Sequence, residues 1–329
     1  YADGFVRGFR RLDSNAIKKH HLPINSIPKR MREQLSLAKL NSNDKCYERL
    51  MAFFEPIPAS LTEFDWLAMY REKGQSLDEF VKYCPIEIDE KKLQVLGNQK
   101  YIYYIKLGEF KQTKLNFDDL IEYSGNFFSP QVIKLMPNVM RIESKVKGQS
   151  FSVAYGDLNA RLTSRYDSTS KRVQLKAPSL FRFLKRIQPD DALCLIAFTE
   201  YDLYCDDEDL FVAGLCDGDK GVGVFSCLRY DPALVFSVEH WFDMKKARQS
   251  SSGNDRTTLL TRSCKLLVHE TCHLLGIEHC TYFNCCMNGS GNIEEDFRQS
   301  MFLCPVDLKK VSLLINVNIL ERYKKMREF

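Results

Sequence analysis

The sequence predicts an α/β fold with a mixed, mostly parallel sheet, a long helix bearing the functional residues, and a helical N-terminal region. Three observations carry this reading. Residues 192–198 (ALCLIAF) are an almost wholly apolar run of strand length, the pattern of a central strand covered on both faces. Strand-like and helix-like stretches alternate from about residue 98 onward, as in a layered sandwich. Half of the six histidines fall within residues 268–287, at the end of a Leu-rich stretch that no Pro or Gly interrupts before Gly276.

In order along the chain, residues 1–97 read as a mainly helical lead-in and 98–329 as the main domain. Ser60-Leu-Thr-Glu63 and Ser76-Leu-Asp-Glu79 both have capping-box spacing. Leu61, Phe64, Leu67, Ala68 and Tyr70 offer a buried stripe around Trp66. Residues 101–107 (YIYYIKL) are β-branched and aromatic, which fits a strand. A helix follows at 118–128, a second strand at 139–144, and an amphipathic helix end at 179–187 that Gln188-Pro-Asp-Asp191 stops. Residues 210–215 and 222–228 are strands joined by the short turn at 217–221, so they pair antiparallel at a sheet edge. Residues 249–258 (QSSSGNDRTT) form a polar loop. A functional helix at about 258–275 and a C-terminal helix at about 305–326 complete the expectation.

Composition narrows the function. A formal charge of +4 over 329 residues argues against a nucleic-acid binder, and no apolar run approaches the roughly 18 residues of a membrane helix. Residues 1–21 are Arg/Lys-rich without an apolar centre and do not read as a secretory signal. Twelve cysteines, several inside apolar runs, favour free thiols in a reducing compartment, the cytoplasm or nucleus, with the cluster near the histidines assigned to metal.

The spacing around 269–279 carries the chemistry. His269 and His273 lie one turn apart on one helix face, so both imidazoles reach one ion. Gly276 can take positive φ and end the helix sharply, and the turn brings back His279 as a third ligand. Three neutral imidazoles leave a fourth zinc position open, as catalytic sites do. Glu270, beside the first ligand, is placed to act as a general base. HExxH alone arises by chance in roughly one such sequence in a hundred, whereas the extension through Gly276 and His279 lowers this to roughly one in 10^5. The longer pattern therefore decides the reading.

His269-Glu-Thr-Cys-His273-Leu-Leu-Gly276-Ile-Glu-His279 with the later Met287 matches the metzincin zinc-peptidase signature. Its continuation, Cys280-x4-Cys285-x-Met287 and then Cys304, resembles the archaemetzincin branch. The defined motif covers about 267–307, and the looser order of strands and helices reaches back to about residue 100. The resemblance implies a zinc metallopeptidase of aminopeptidase type. His269, His273 and His279 would be the ligands, Glu270 the base and Met287 the apolar floor of a Met-turn. It also implies a second, structural zinc held by four cysteines. Cys280, Cys285 and Cys304 match that pattern, but Asp307 stands where the fourth cysteine belongs. Either Asp307 or Cys286 completes the site, or the site is lost and the thiols are merely buried. Asp307 has a further reading as a cap of the C-terminal helix.

Other features are weaker. The acidic run 206–209 (DDED) could bind a substrate ammonium but reads better as a solvated surface. Residues 210–215 could pair with an extended peptide. His20, His21 and His240 are isolated, and the basic end 322–327 complements a helix dipole. The partners expected are peptides or small proteins, with no nucleic acid and no membrane. The contrasting reading is a zinc-stabilised interaction module with little turnover.

Overall fold

A run of eight residues without a polar side chain until its last position belongs where no water reaches it. The computed structural model describes residues 55–84, 88–89, 94–95, 100–232 and 255–329, apart from 112, 114, 130–132, 147–149, 169–170, 208, 210 and 316. In it, Ala192–Thr199 is strand β10, buried along its whole length. It is the middle of a five-stranded sheet with β3 (Tyr101–Leu107), β4 (Ile133–Leu135), β12 (Gly214–Asp217) and β13 (Val222–Ser226), in the order β12-β13-β10-β3-β4. The pairs β13–β10, β10–β3 and β3–β4 are parallel, and only the edge strand β12 runs antiparallel. The mixed, mostly parallel sheet with an antiparallel edge is what the sequence predicts.

Side chains alternate across the pleat, so each central strand feeds two cores. Ile102, Tyr104, Ile196, Phe198 and Phe225 face one core with helices α3 (Phe117–Phe127) and α5 (Asp255–Leu274). Tyr103, Ile105, Leu195, Ala197, Val222 and Val224 face the other with helix α4 (Pro178–Ile187). The result is a three-layer arrangement with α5 on one side. Two smaller three-stranded sheets stand beside it: β5 (Arg141–Val146), β6 (Ser150–Tyr155) and β7 (Leu158–Leu162), and β8 (Ser164–Asp167), β9 (Arg172–Lys176) and β11 (Asp202–Tyr204). The second is tied to the main body by a buried ion pair, Arg229 to Asp202 at 2.6 Å, with Gln174 donating to the same carboxylate at 2.9 Å.

Several boundaries differ from expectation. The predicted edge strand 210–215 is observed at 214–217, with Val212 making only an isolated bridge to Leu203. After the short helix α6 (Ile293–Arg298), the C-terminal helix is two helices, α7 (Pro305–Ile315) and α8 (Ile319–Glu328), because Asn318 accepts Glu321 N–H and starts the second one. α5 begins at Asp255, inside the predicted polar loop, whose residues 249–254 lie outside the described residues.

The stretch read as mainly helical is described from residue 55 and holds helices α1 (Trp66–Met69) and α2 (Leu77–Tyr83) and a short hairpin of β1 (Ile88–Asp89) and β2 (Gln94–Val95). His20, His21 and His240 lie outside the described residues. The Ser60 box does not form. Asp65 instead accepts Leu61 N–H (2.7 Å) and the Thr62 hydroxyl (2.8 Å), and Leu61 is exposed. The Ser76–Glu79 box does form, with both reciprocal bonds at 3.1 and 2.9 Å. Ser76→Ala is therefore expected to lower stability by about 1 kcal/mol, read from the midpoint shift in urea unfolding.

Candidate metal centre and substrate cleft

Helix α5 is positioned by its buried Leu259, Leu266, Leu267 and Leu274, and by one polar tie to the sheet. The buried Tyr104 hydroxyl on β3 meets Thr271 (2.9 Å) and Ser124 of α3 (2.6 Å), fixing the rotation of α5 about its axis. That rotation aims His269, Glu270 and His273 at the same side. The helix then ends in a Schellman turn: Ile277 N–H reaches back to Cys272 O (3.0 Å) and Gly276 N–H to His273 O (2.9 Å), with Gly276 at φ +82°. A side chain with a Cβ is strained at that φ, which is why glycine stands there.

The turn serves the histidines twice. Its Ile277 carbonyl accepts the Nδ1 proton of His273 (2.7 Å), and the returning chain carries His279 to the other two rings. His269 Nδ1 donates to Cys286 O (2.6 Å), and His279 Nδ1 donates to the Glu72 carboxylate (3.0 and 3.1 Å). With every Nδ1 engaged, the Nε2 atoms are the ones left to converge. The His269 and His273 Nε2 atoms lie 2.9 Å apart, the three rings offer ligand atoms within 4.8 Å of one another, and His279 Nε2 is buried with no hydrogen-bond partner among the described residues. Burial, reinforced by the neighbouring imidazoles, pushes His269 well below the usual histidine range and His273 down to about 3, so both rings are neutral. Neutral, convergent imidazole nitrogens are the donor set zinc takes.

Glu270 is buried, with Oε1 lacking a hydrogen-bond partner among the described residues. Burial, and then the nearby Asp296, raises its carboxyl to about 8. A cation in the histidine cluster would oppose that shift and favour the carboxylate. Glu270, His273 and His279 open onto a cavity of about 650 Å³. One wall is the outer edge of β12 (Gly214, Leu215 and Cys216), which among the described residues has a sheet neighbour only on its other side. The facing wall is residues 66–79.

Beyond His279, a compact turn follows. Asn288 takes Cys285 N–H on its side-chain oxygen (2.8 Å) and donates to the carbonyls of Cys280 and Phe283, while Cys280 N–H bonds Met287 O (2.7 Å). Met287 is fully buried. The turn also brings four further ligands together: Cys280, Cys285, Cys304 and Asp307, all buried and within 4.8 Å of one another. Cys280 Sγ and Cys304 Sγ are 3.9 Å apart, close to the edge of about 3.8 Å that Zn–S bonds of about 2.3 Å give in a tetrahedron. Asp307 Oδ2 is 3.3 Å from Cys285 Sγ and 3.5 Å from Cys304 Sγ, and the sulfur of Cys304 receives Asp307 N–H (3.5 Å).

Hydrogen bonds from Cys285 and Cys304 hold the Cys280 thiol well below its usual range, while burial pushes the other two up. The second oxygen of Asp307 pairs with buried Lys310 (2.8 Å), a cation that offsets a ligand set richer in charge than the metal. Of the alternatives open in the sequence, the structure places Asp307 in the cluster and leaves out the sulfur of Cys286, whose carbonyl serves His269 instead. Asp307 therefore faces sulfur and lysine, and the Cys304 sulfur occupies the helix start where a cap would sit.

The acidic run does not reach the cleft. Arg165 donates to the carbonyls of Asp206, Asp207 and Asp209, and the described members of the run line no part of the cavity. What the sequence reading missed is the wall at 66–79. Glu72, Gln75 and Trp66 touch the histidine turn from about 200 residues away, and no local pattern marks them: Gln75 donates to Gly276 O (3.0 Å) and accepts Glu278 N–H (3.3 Å). Among the described residues no helix is long and apolar enough to cross a membrane.

The profile of Peptidase family M54 matches residues 164–312. Human archaemetzincin-2 is 28% identical over 307 residues, covering 89% of this chain and 79% of that protein. Human archaemetzincin-1 is 26% identical over 277 residues, covering 80% of this chain and 52% of its own length. A solved zinc-dependent peptidase from Methanocorpusculum labreanum is similar at 19% identity and a TM-score of 0.42, over 64% of this chain and 99% of that one. Residues 164–312 thus match family M54, and the chain is similar to archaemetzincins along most of its length.

Proposed function

We propose that His269, His273 and His279 hold the catalytic zinc and that Glu270 is the general base for hydrolysis of a peptide bond. The observation that carries this is the convergence of three Nε2 atoms beside an unpartnered, buried Glu270 oxygen at the wall of a cleft. Zinc bound there supplies polarisation of the scissile carbonyl and a lowered pKa for water. The chain's own residues supply the rest. Glu270 takes the proton of the attacking water and returns it to the leaving amine as the C–N bond breaks. The edge of β12, unpaired among the described residues, pairs with the main chain of an extended substrate, which recognises peptides with little regard to side chain. Met287 closes the floor beneath the site.

The second cluster holds a structural zinc through Cys280, Cys285, Cys304 and Asp307. Four ligands leave no open position, which suits scaffolding of the turn that carries Cys286 and Met287.

Aminopeptidase action needs a carboxylate for the substrate's free amine. Glu278 suits that task, because it precedes His279, exposes its side chain and lines the cavity. Glu278→Gln is expected to raise KM several-fold for peptides with a free N-terminus and to leave N-acetylated peptides unaffected. Equal effects on both substrate sets would remove Glu278 from this role.

A further inference from the structure

We infer that Glu72, a residue outside the family M54 match, is a positioning residue that fixes the third histidine for metal binding. The inference rests on the assignment of His269, His273 and His279 as the zinc site. His269 and His273 have backbone carbonyls on Nδ1, as α5 and its terminal turn dictate. His279 lies past the helix on an irregular segment, and its Nδ1 partner is the carboxylate of Glu72, 207 residues earlier, with both oxygens within 3.1 Å. That bond puts the proton on Nδ1 and leaves the Nε2 lone pair facing the other two rings.

The position of Glu72 is itself determined by contacts on both sides. Ahead of it, Trp66 N–H donates to Glu295 (2.7 Å), and the Trp66 ring meets the His279 ring edge-on with centroids 5.0 Å apart. Behind it, Gly74 sits at φ +72°, where a Cβ would come within 2.4 Å of the Thr281 hydroxyl oxygen, and Tyr282 donates its hydroxyl to Lys73 O (2.6 Å). Gln75 is pinned between Gly276 and Glu278, and the buried Lys310 donates to its carbonyl (2.8 Å). Residues 66–75 thus form a strap anchored on the histidine turn, with the Glu72 carboxylate delivered at His279. Only 28% of that side chain is exposed, so the contact is sheltered rather than a surface ion pair. The catalytic zinc site is in this view completed from outside the matched peptidase region.

The test is zinc affinity, measured by chelator competition on the full chain, with the visible spectrum of cobalt-substituted protein as a second readout. Glu72→Ala is expected to weaken the zinc that His279→Ala also weakens by about 10–100-fold and to alter the cobalt bands. Glu72→Gln, which keeps an acceptor and the shape but loses the charge, is expected to fall between Glu72→Ala and wild type. It also serves as the readout should the alanine variant fail to fold. In a His279→Ala background, changing Glu72 is expected to do nothing further. Wild-type zinc affinity in both Glu72 variants, alongside a loss in His279→Ala, would overturn the role of Glu72 alone. An unchanged affinity in His279→Ala would overturn the zinc assignment beneath it.

Discussion

Glu270→Gln is expected to retain its zinc and to lose peptide hydrolysis by about 10^2- to 10^4-fold, the usual contribution of a positioned general base. The substitution is nearly isosteric, and the carboxylate is not needed for the histidine geometry, because each Nδ1 partner is a carbonyl or Glu72. The loss therefore belongs in kcat rather than in metal content. Measuring zinc and turnover on the same preparation separates the two. The result also discriminates against the reading of the chain as a zinc-stabilised binding module. Such a module gains nothing from a buried carboxylate at an open cleft, and turnover that is absent in the wild type as well would favour it.

The second large effect is expected at the thiolate cluster. Cys285→Ser should lower zinc from two ions per chain to one, as read by elemental analysis. It should also lower Tm by on the order of 10 °C, since structural zinc contributes directly to folding free energy. Serine is the informative choice because Asp307→Ala would also strand the Lys310 ammonium, an uncompensated buried charge that is costly with or without metal. Two zincs per chain in Cys285→Ser would contradict the assignment of Cys285 as a ligand.

How much of this was legible in the chain depends on the range of the interaction. The central place of β10 follows from its apolar run, the antiparallel edge from the short turn at 217–221, and the helix carrying His269 and His273 from composition and spacing within one turn. The Schellman turn at Gly276 is also local. What escaped is non-local. The strap at 66–75 acts through contacts such as Glu72 with His279 and Gln75 with Gly276, which no periodicity encodes. The two capping boxes show why a correct local rule can fail. Ser76 has no stronger competitor nearby, whereas at Ser60 the Asp65 carboxylate gathers Leu61 and Thr62 and binds Arg298 and Asn292 from the far end of the chain. The break between α7 and α8 has a local signal, Asn318 and Glu321 at capping spacing after the weak helix formers Val317 and Asn318.

The most direct test of the central claim is anomalous diffraction at the zinc absorption edge from crystals of the full chain. One peak is expected bounded by the Nε2 atoms of His269, His273 and His279 and facing Glu270, and a second among Cys280, Cys285, Cys304 and Asp307. A zinc-loaded crystal with no density at the histidine cluster would contradict it.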